Sequence, residues 1–194
     1  GRIGGALEQR SPTPCTVLLR GGDWGALDTD DEPIVVTTRN DDLDGVLDRV
    51  PEARRRDVVL IQNGMLRPWL VERGGIPLTR GLLFFAVASV GATPEVGGPS
   101  PFVGPHAEAM VRWLEAMKLD ARVVSERQFR EIELEKLVWN SAFGLLCEAC
   151  DASEGEVVEE HASTFTRLAR ELIVLGADAL EIEVNVSTML DSLA

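Results

Sequence analysis

Pro33-Ile-Val-Val-Thr-Thr38-Arg39 and Asp57-Val-Val-Leu-Ile61-Gln62-Asn63-Gly64 are the stretches on which the fold turns. Each is a short, β-branched apolar run that stops on polar residues. A strand so uniformly apolar is buried on both faces, as in a parallel sheet covered by helices. Between the two runs, Leu43, Val46, Leu47 and Val50 recur at helical spacing, which predicts a helix over 41–50. Strand, helix, strand is the repeating unit of an α/β domain.

Outward from this unit the pattern continues. Gly1-Arg-Ile-Gly4-Gly5-Ala-Leu reads as the tail of a Gly-rich turn running into a helix. Cys15-Thr-Val-Leu-Leu19 reads as a strand stopped by Arg20-Gly21-Gly22, and 23–32 as an acidic, solvated loop. Gly81–Ser89 predicts another strand, His106–Met117 a helix and Ala121–Val124 a last short strand. The Gly, Pro and Ser residues of 91–105 predict loops and hairpins. From Ser125 the character changes. Arg127–Cys150 has helical periodicity and almost no Gly or Pro. Ser153 and Glu156 have the spacing of a capping box. A long helix follows it, with Phe165, Leu168, Leu172, Val174 and Leu175 as its apolar positions. The expected division is a sheet domain over 1–125 and a helical domain over 126–194.

Bulk properties exclude some function classes. The 194 residues carry a formal net charge of −13, which opposes general binding to nucleic acid or anionic lipid. No run approaches the roughly 18 apolar residues a membrane helix needs. No signal-peptide pattern is visible, and the chain opens on Gly1 without a Met. Three cysteines, an odd and low number, fit a soluble protein of a reducing compartment, the cytoplasm or an organelle interior. Cys147-Glu-Ala-Cys150 has CxxC spacing but lies late in an apolar helix, so it reads as two packed thiols. His106 and His161 are the only histidines, and no metal cluster is suggested. Arg54-Arg55-Arg56 reads as a solvated turn.

Gly1-x-x-Gly4 matches the second and third glycines of G-x-G-x-x-G, where backbone approaches a pyrophosphate at a helix N-terminus. The first glycine and first strand would then precede residue 1. Arg20, after the next strand, stands where a dinucleotide fold meets the ribose, and an Arg there suits a 2′-phosphate.

Val35-Val-Thr-Thr-Arg39, Leu60-Ile-Gln-Asn63-Gly-Met65 and Glu135-Lys136-Leu-Val-Trp-Asn140 together resemble the ketopantoate reductase family in order and approximate spacing. Asn185-Val-Ser-Thr188-Met-Leu190 resembles its Ser-rich, substrate-contacting segment. The resemblance implies a Rossmann-like, mostly parallel sheet domain followed by an all-helical, 6-phosphogluconate-dehydrogenase-like domain. It also implies that the first strand before residue 1 and the last helices after Ala194 are missing. The implied activity is reduction of a 2-keto acid with NADPH, in pantothenate biosynthesis. Lys136 is the implied catalytic residue, with Asn63, Asn140 and Thr188 on substrate. Gly1, Gly4, Arg20, Arg39 and Asn63 are the implied NADP contacts. A homodimer or a larger assembly is the implied oligomer. Gly144 stands where the family carries a second Asn, which removes one side-chain contact. That departure keeps two other readings open, a non-catalytic scaffold or accessory subunit and a nucleotide sensor without turnover.

Overall fold

Strands β1 (Ile34–Val36) and β2 (Val58–Leu60) pair in parallel, with Ile34 opposite Val58 and Val36 opposite Leu60. This computed structural model of the chain describes residues 1–27, 31–75 and 77–193. Residues 28–30 of the expected acidic loop, and Ala194, lie outside the described residues. All three residues of β2 are buried, as its unbroken apolar run requires. β3 (Thr79–Gly81) adds in parallel, β6 (Ser100–Val103) antiparallel to it, and β7 (Ala121–Val123) parallel to β6. The sheet order is β1-β2-β3-β6-β7, and a separate hairpin joins β4 (Phe85–Ala86) to β5 (Glu95–Val96).

The chain divides into two compact units, residues 1–63 with 68–125, and residues 64–67 with 126–194. In the first, helices α1 (Arg2–Arg10) and α4 (Ala107–Ala116) lay Leu7, Met110 and Leu114 into one core with Val59, Ile61 and Phe102. Short helices α2 (Leu43–Leu47) and α3 (Arg67–Glu72) fill the crossovers. In the second unit, α5 (Glu126–Cys150) and α7 (Ala162–Leu180) run against each other, with α6 (Glu154–Glu160) and α8 (Val186–Leu193) completing a shared core. Gly176 of α7 lies directly on the Leu134 side chain, where a Cβ would collide. Burying Leu134, Phe165 and Ile173 contributes about 1.5–3 kcal/mol each. The capping box is present: Ser153 Oγ accepts from the Glu156 N–H, and the Glu156 carboxylate accepts from the Ser153 N–H.

Several expectations are corrected. Cys15–Leu19 forms no strand, because no neighbouring strand lies beside it among the described residues, and Val17 and Leu19 stay exposed. The run 81–89 does not form one strand: it bends after Gly81 and resumes as β4. β6 falls in the stretch expected to be loop. Its Pro101 lies opposite Leu82 and accepts from the Leu82 N–H at 3.1 Å; the return bond of that pair is absent because proline has no N–H, and it falls just past the end of β3. The long helix after Ser153 is broken at His161, with no Gly or Pro at the break, and Val174 and Leu175 are exposed. Cys150 is exposed, and only Cys147 packs against the helical core.

The Arg54–Arg56 turn is not simply solvated. Arg54 is buried, donates to Asp57 at 2.6 Å and to the carbonyls of Leu27 and Glu32, and His106 Nε2 lies 2.9 Å from the other Asp57 oxygen. The His106 N–H donates to Thr79 Oγ1. This network ties together the beginnings of β2, β3 and α4. Burial alone would raise the Asp57 carboxyl, but hydrogen bonds and charge from Arg54 and His106 outweigh it and hold Asp57 below its ordinary value. A depressed carboxyl stabilises the fold above its unfolded pKa, and that contribution is lost as pH falls through the folded one.

Replacing Asp57 by Asn leaves Arg54 buried without its anion, an expected loss of about 3–5 kcal/mol in urea unfolding at neutral pH. The variant's stability should also fall less steeply than wild type below pH 4, a range set by the ordinary carboxyl value. At the middle of the sheet, the Phe102 ring covers Gly81, its cross-strand partner, so an added Cβ strikes the ring. Gly81→Ala should therefore cost about 1–3 kcal/mol in the same assay.

Candidate functional site

In an open α/β sheet, ligands meet the chain beyond the carboxyl ends of the parallel strands. The ladder of β1 and β2 ends at Val36 opposite Leu60, and the residues just past it are those singled out from the sequence. Arg39 precedes a 3-10 turn, Asn40–Asp42, and its side chain is exposed with no ion-pair partner among the described residues. Arg20 reaches the same turn: its guanidinium, 87% exposed, lies 2.6 Å from Asp42. Arg20 therefore carries a carboxylate neighbour that the sequence reading did not foresee, and no strand precedes it. Arg39 thus precedes the turn, and Arg20 contacts its last residue, Asp42.

Asn63 follows β2 and is exposed, and Gly64 after it has φ 100°, a conformation glycine adopts without strain. The Asn63 carbonyl accepts from Asn40 Nδ2 at 3.0 Å. Next to it, the buried Gln62 donates from Nε2 to the carbonyls of Val36 at 2.9 Å and Thr38 at 3.2 Å. Gln62 Oε1 is buried and has no partner among the described residues. Neither Asn40 nor Gln62 was assigned a role from the sequence, although Gln62 lies inside the Leu60–Met65 motif. Their only signal was position, one directly after Arg39 and the other directly before Asn63.

Gly1 caps α1, and a Cβ there would meet nothing within 4 Å. Gly4 lies inside the first turn. A Cβ on it would approach Thr37 Oγ1 to 2.6 Å, so this glycine lets α1 pack closely on the end of β1.

The remaining predicted residues belong to the second unit. Lys136 and Asn140 are four apart on α5 and share a helix face. Lys136 is half-buried and Asn140 exposed. Desolvation by burial pushes the Lys136 ammonium down to about 8. Gly144, on the same face, is exposed and open. Thr188 lies in the first turn of α8, exposed, and its N–H is capped by Asn185 Oδ1 at 3.0 Å. Asn185 therefore serves the helix end, a role its sequence position alone did not show. A cavity of about 290 Å³, lined by Met65, Leu137, Ser141, Leu172 and Leu175 among others, lies within this unit. Among the described residues no group of His, Cys, Asp and Glu could hold a metal ion, and no helix is long and apolar enough to cross a membrane.

No protein-family model matches this sequence, and no curated protein matches it. Solved structures do. D-mandelate dehydrogenase in complex with NADH superposes with a TM-score of 0.61 at 16% identity, covering 84% of this chain and 58% of that one. A dimeric ketopantoate reductase from Staphylococcus aureus gives 0.59 at 14% identity, covering 84% and 57%. The 2-dehydropantoate 2-reductase from Methylococcus capsulatus gives 0.63 at 16% identity, covering 87% and 59%. The chain thus spans under two thirds of the length of these structures. A mostly parallel sheet followed by helices, in the arrangement shared by these proteins, gives this chain the ketopantoate reductase-like fold that its sequence motifs resembled.

Proposed function

We propose that this chain belongs to a nicotinamide-dependent 2-keto acid reductase, of the kind that acts on ketopantoate. The observation that carries the reading is Lys136, a half-buried amine pushed to about 8 with the Asn140 amide one turn further along α5. A lysine with that pKa gives up its proton more readily near neutral pH than an ordinary one. In this reading residues 1–125 hold the dinucleotide and 126–194 the substrate.

Features of the first unit suit a dinucleotide. The α1 N-terminus is open at Gly1 and suits a pyrophosphate, while Gly4 lets the helix seat against Thr37. Arg39 is free of carboxylates among the described residues, and Arg20 is exposed enough to exchange Asp42 for a 2′-phosphate, which favours NADP. Asn63, past the end of β2, orients nicotinamide and substrate. When bound, the nicotinamide supplies the hydride that reduces the keto carbon. Lys136 Nζ holds the proton destined for the keto oxygen and stabilises negative charge growing there. Asn140 and Thr188 donate hydrogen bonds that orient the acid. Deprotonated Lys136 returns to its acid form from solvent.

The second reading is a non-catalytic relative, a scaffold or accessory subunit retaining the fold. It is favoured by Gly144, which offers no side chain on the Lys136 face, and by the Arg20–Asp42 pair, which already neutralises the proposed phosphate ligand.

Titration of the chain with NADPH, followed by nucleotide fluorescence, should show saturable binding, and none would favour the scaffold. With ketopantoate and NADPH, Lys136→Ala should lower kcat on the order of a hundredfold to ten-thousandfold. The wild-type reductive rate should fall as pH rises through about 8, where the amine loses its proton. Retention of rate by Lys136→Ala removes it from catalysis. The Arg20→Ala change should reduce the preference for NADPH over NADH by roughly tenfold, the worth of one charge-assisted contact. Asp42→Ala, which releases Arg20, should raise that preference, and an unchanged ratio in both variants discards the phosphate role.

A further inference from the structure

The parallel ladder of β1 and β2 stops at Val36 opposite Leu60, yet the two chains remain tied beyond it. The ties are side-chain amides, and they run in both directions. Gln62, on the β2 side, donates to the carbonyls of Val36 and Thr38 on the β1 side. Asn40, on the β1 side, donates to the carbonyl of Asn63 on the β2 side. Three donated hydrogen bonds thus replace the ladder over the residues that carry Arg39 and Asn63. Gln62 is 7% exposed, so its geometry is fixed by packing, and its Oε1 is left as a buried acceptor without a partner. An unsatisfied buried acceptor is costly. Keeping an amide there makes sense where both of its N–H groups are needed at once, since a carboxylate could donate neither and an apolar side chain would leave two carbonyls open.

We infer that Gln62 and Asn40 are positioning residues, a reciprocal amide clamp that holds the backbone of Thr38 and Asn63 in place and acts on the reaction through Asn63. The catalytic part of this inference rests on the reductase reading. The clamp itself does not, because it is a property of the chain without ligand.

The test has two arms on the full chain. The first needs no ligand: backbone amide hydrogen exchange over residues 37–40 and 61–65, compared among wild type, Asn40→Ala and Gln62→Met. Asn40 is exposed, so its variant folds even if Gln62→Met does not. Faster exchange confined to these residues, with thermal unfolding of Asn40→Ala close to wild type, supports the clamp. Unchanged exchange in Asn40→Ala overturns it. The second arm measures NADPH binding and turnover of ketopantoate. Displacement of an orienting group by about an ångström costs up to about a hundredfold in rate. Asn40→Ala should therefore lower kcat toward that extent while the NADPH dissociation constant moves much less. Equal kcat and KM in Asn40→Ala and wild type overturn the positioning role. A wild-type chain that binds no nicotinamide nucleotide sinks the reductase reading instead, and the exchange arm then decides the clamp by itself.

Discussion

A strand buried on both faces has nothing to offer a ligand along its length, and only its ends are available. The backbone groups at those ends must still be satisfied. In this chain the requirement is concentrated where β1 and β2 part, after Val36 and Leu60. Water on one side and packed apolar residues on the other would leave Thr38 and Asn63 loosely held. Two primary amides, Gln62 and Asn40, take over from the ladder instead. The polar residues that resemble a dinucleotide site lie around that substitution: Arg39 precedes the turn that Asn40 begins, and Asn63 follows Gln62 just past the end of β2.

The opposite ends of the same strands solve a related problem with charge. Asp57 sits just ahead of β2, where a buried carboxylate alone would be expensive. Arg54 and His106 meet its two oxygens, and Arg54 also donates to the carbonyls of Leu27 and Glu32. The result is a rigid base for the sheet below an open crest. Across an acidic chain, with net charge −13, the positive groups are divided by use: Arg54 is committed to the fold, Arg20 is held by Asp42, and Arg39 faces solvent. In the helical unit, burial destabilises the Lys136 ammonium.

Much of this was legible in the residues. Uniformly apolar β-branched runs marked β1 and β2; β2 is buried throughout as expected, whereas in β1 only Val36 is fully buried and Ile34 and Val35 are half-buried. The periodicity of 127–150 marked α5, and the Ser153–Glu156 spacing marked a cap that does form. Reading failed where an element depends on a neighbour. Cys15–Leu19 has strand composition, yet a strand exists only within a ladder, and none lies beside it among the described residues. Ser100–Val103 has the company of a loop, yet it is wholly buried between β3 and β7. Arg54 looked like one of three solvated arginines. Its burial was decided by Asp57, three residues on, and by His106, forty-nine residues further from Asp57.

The sequence by itself determined the fold class, the change from sheet to helices near Ser125, and the residues whose motifs resemble a reductase site. Those are consequences of local composition, periodicity and spacing, which act between residues close along the chain. Only the tertiary structure decided that Arg20 is paired with Asp42, that Asn40 and Gln62 bind the ends of β1 and β2 together, and that Lys136 is desolvated. Each of these depends on groups brought near by folding, and both the strength of a hydrogen bond and the cost of a charge are set by what surrounds them in space.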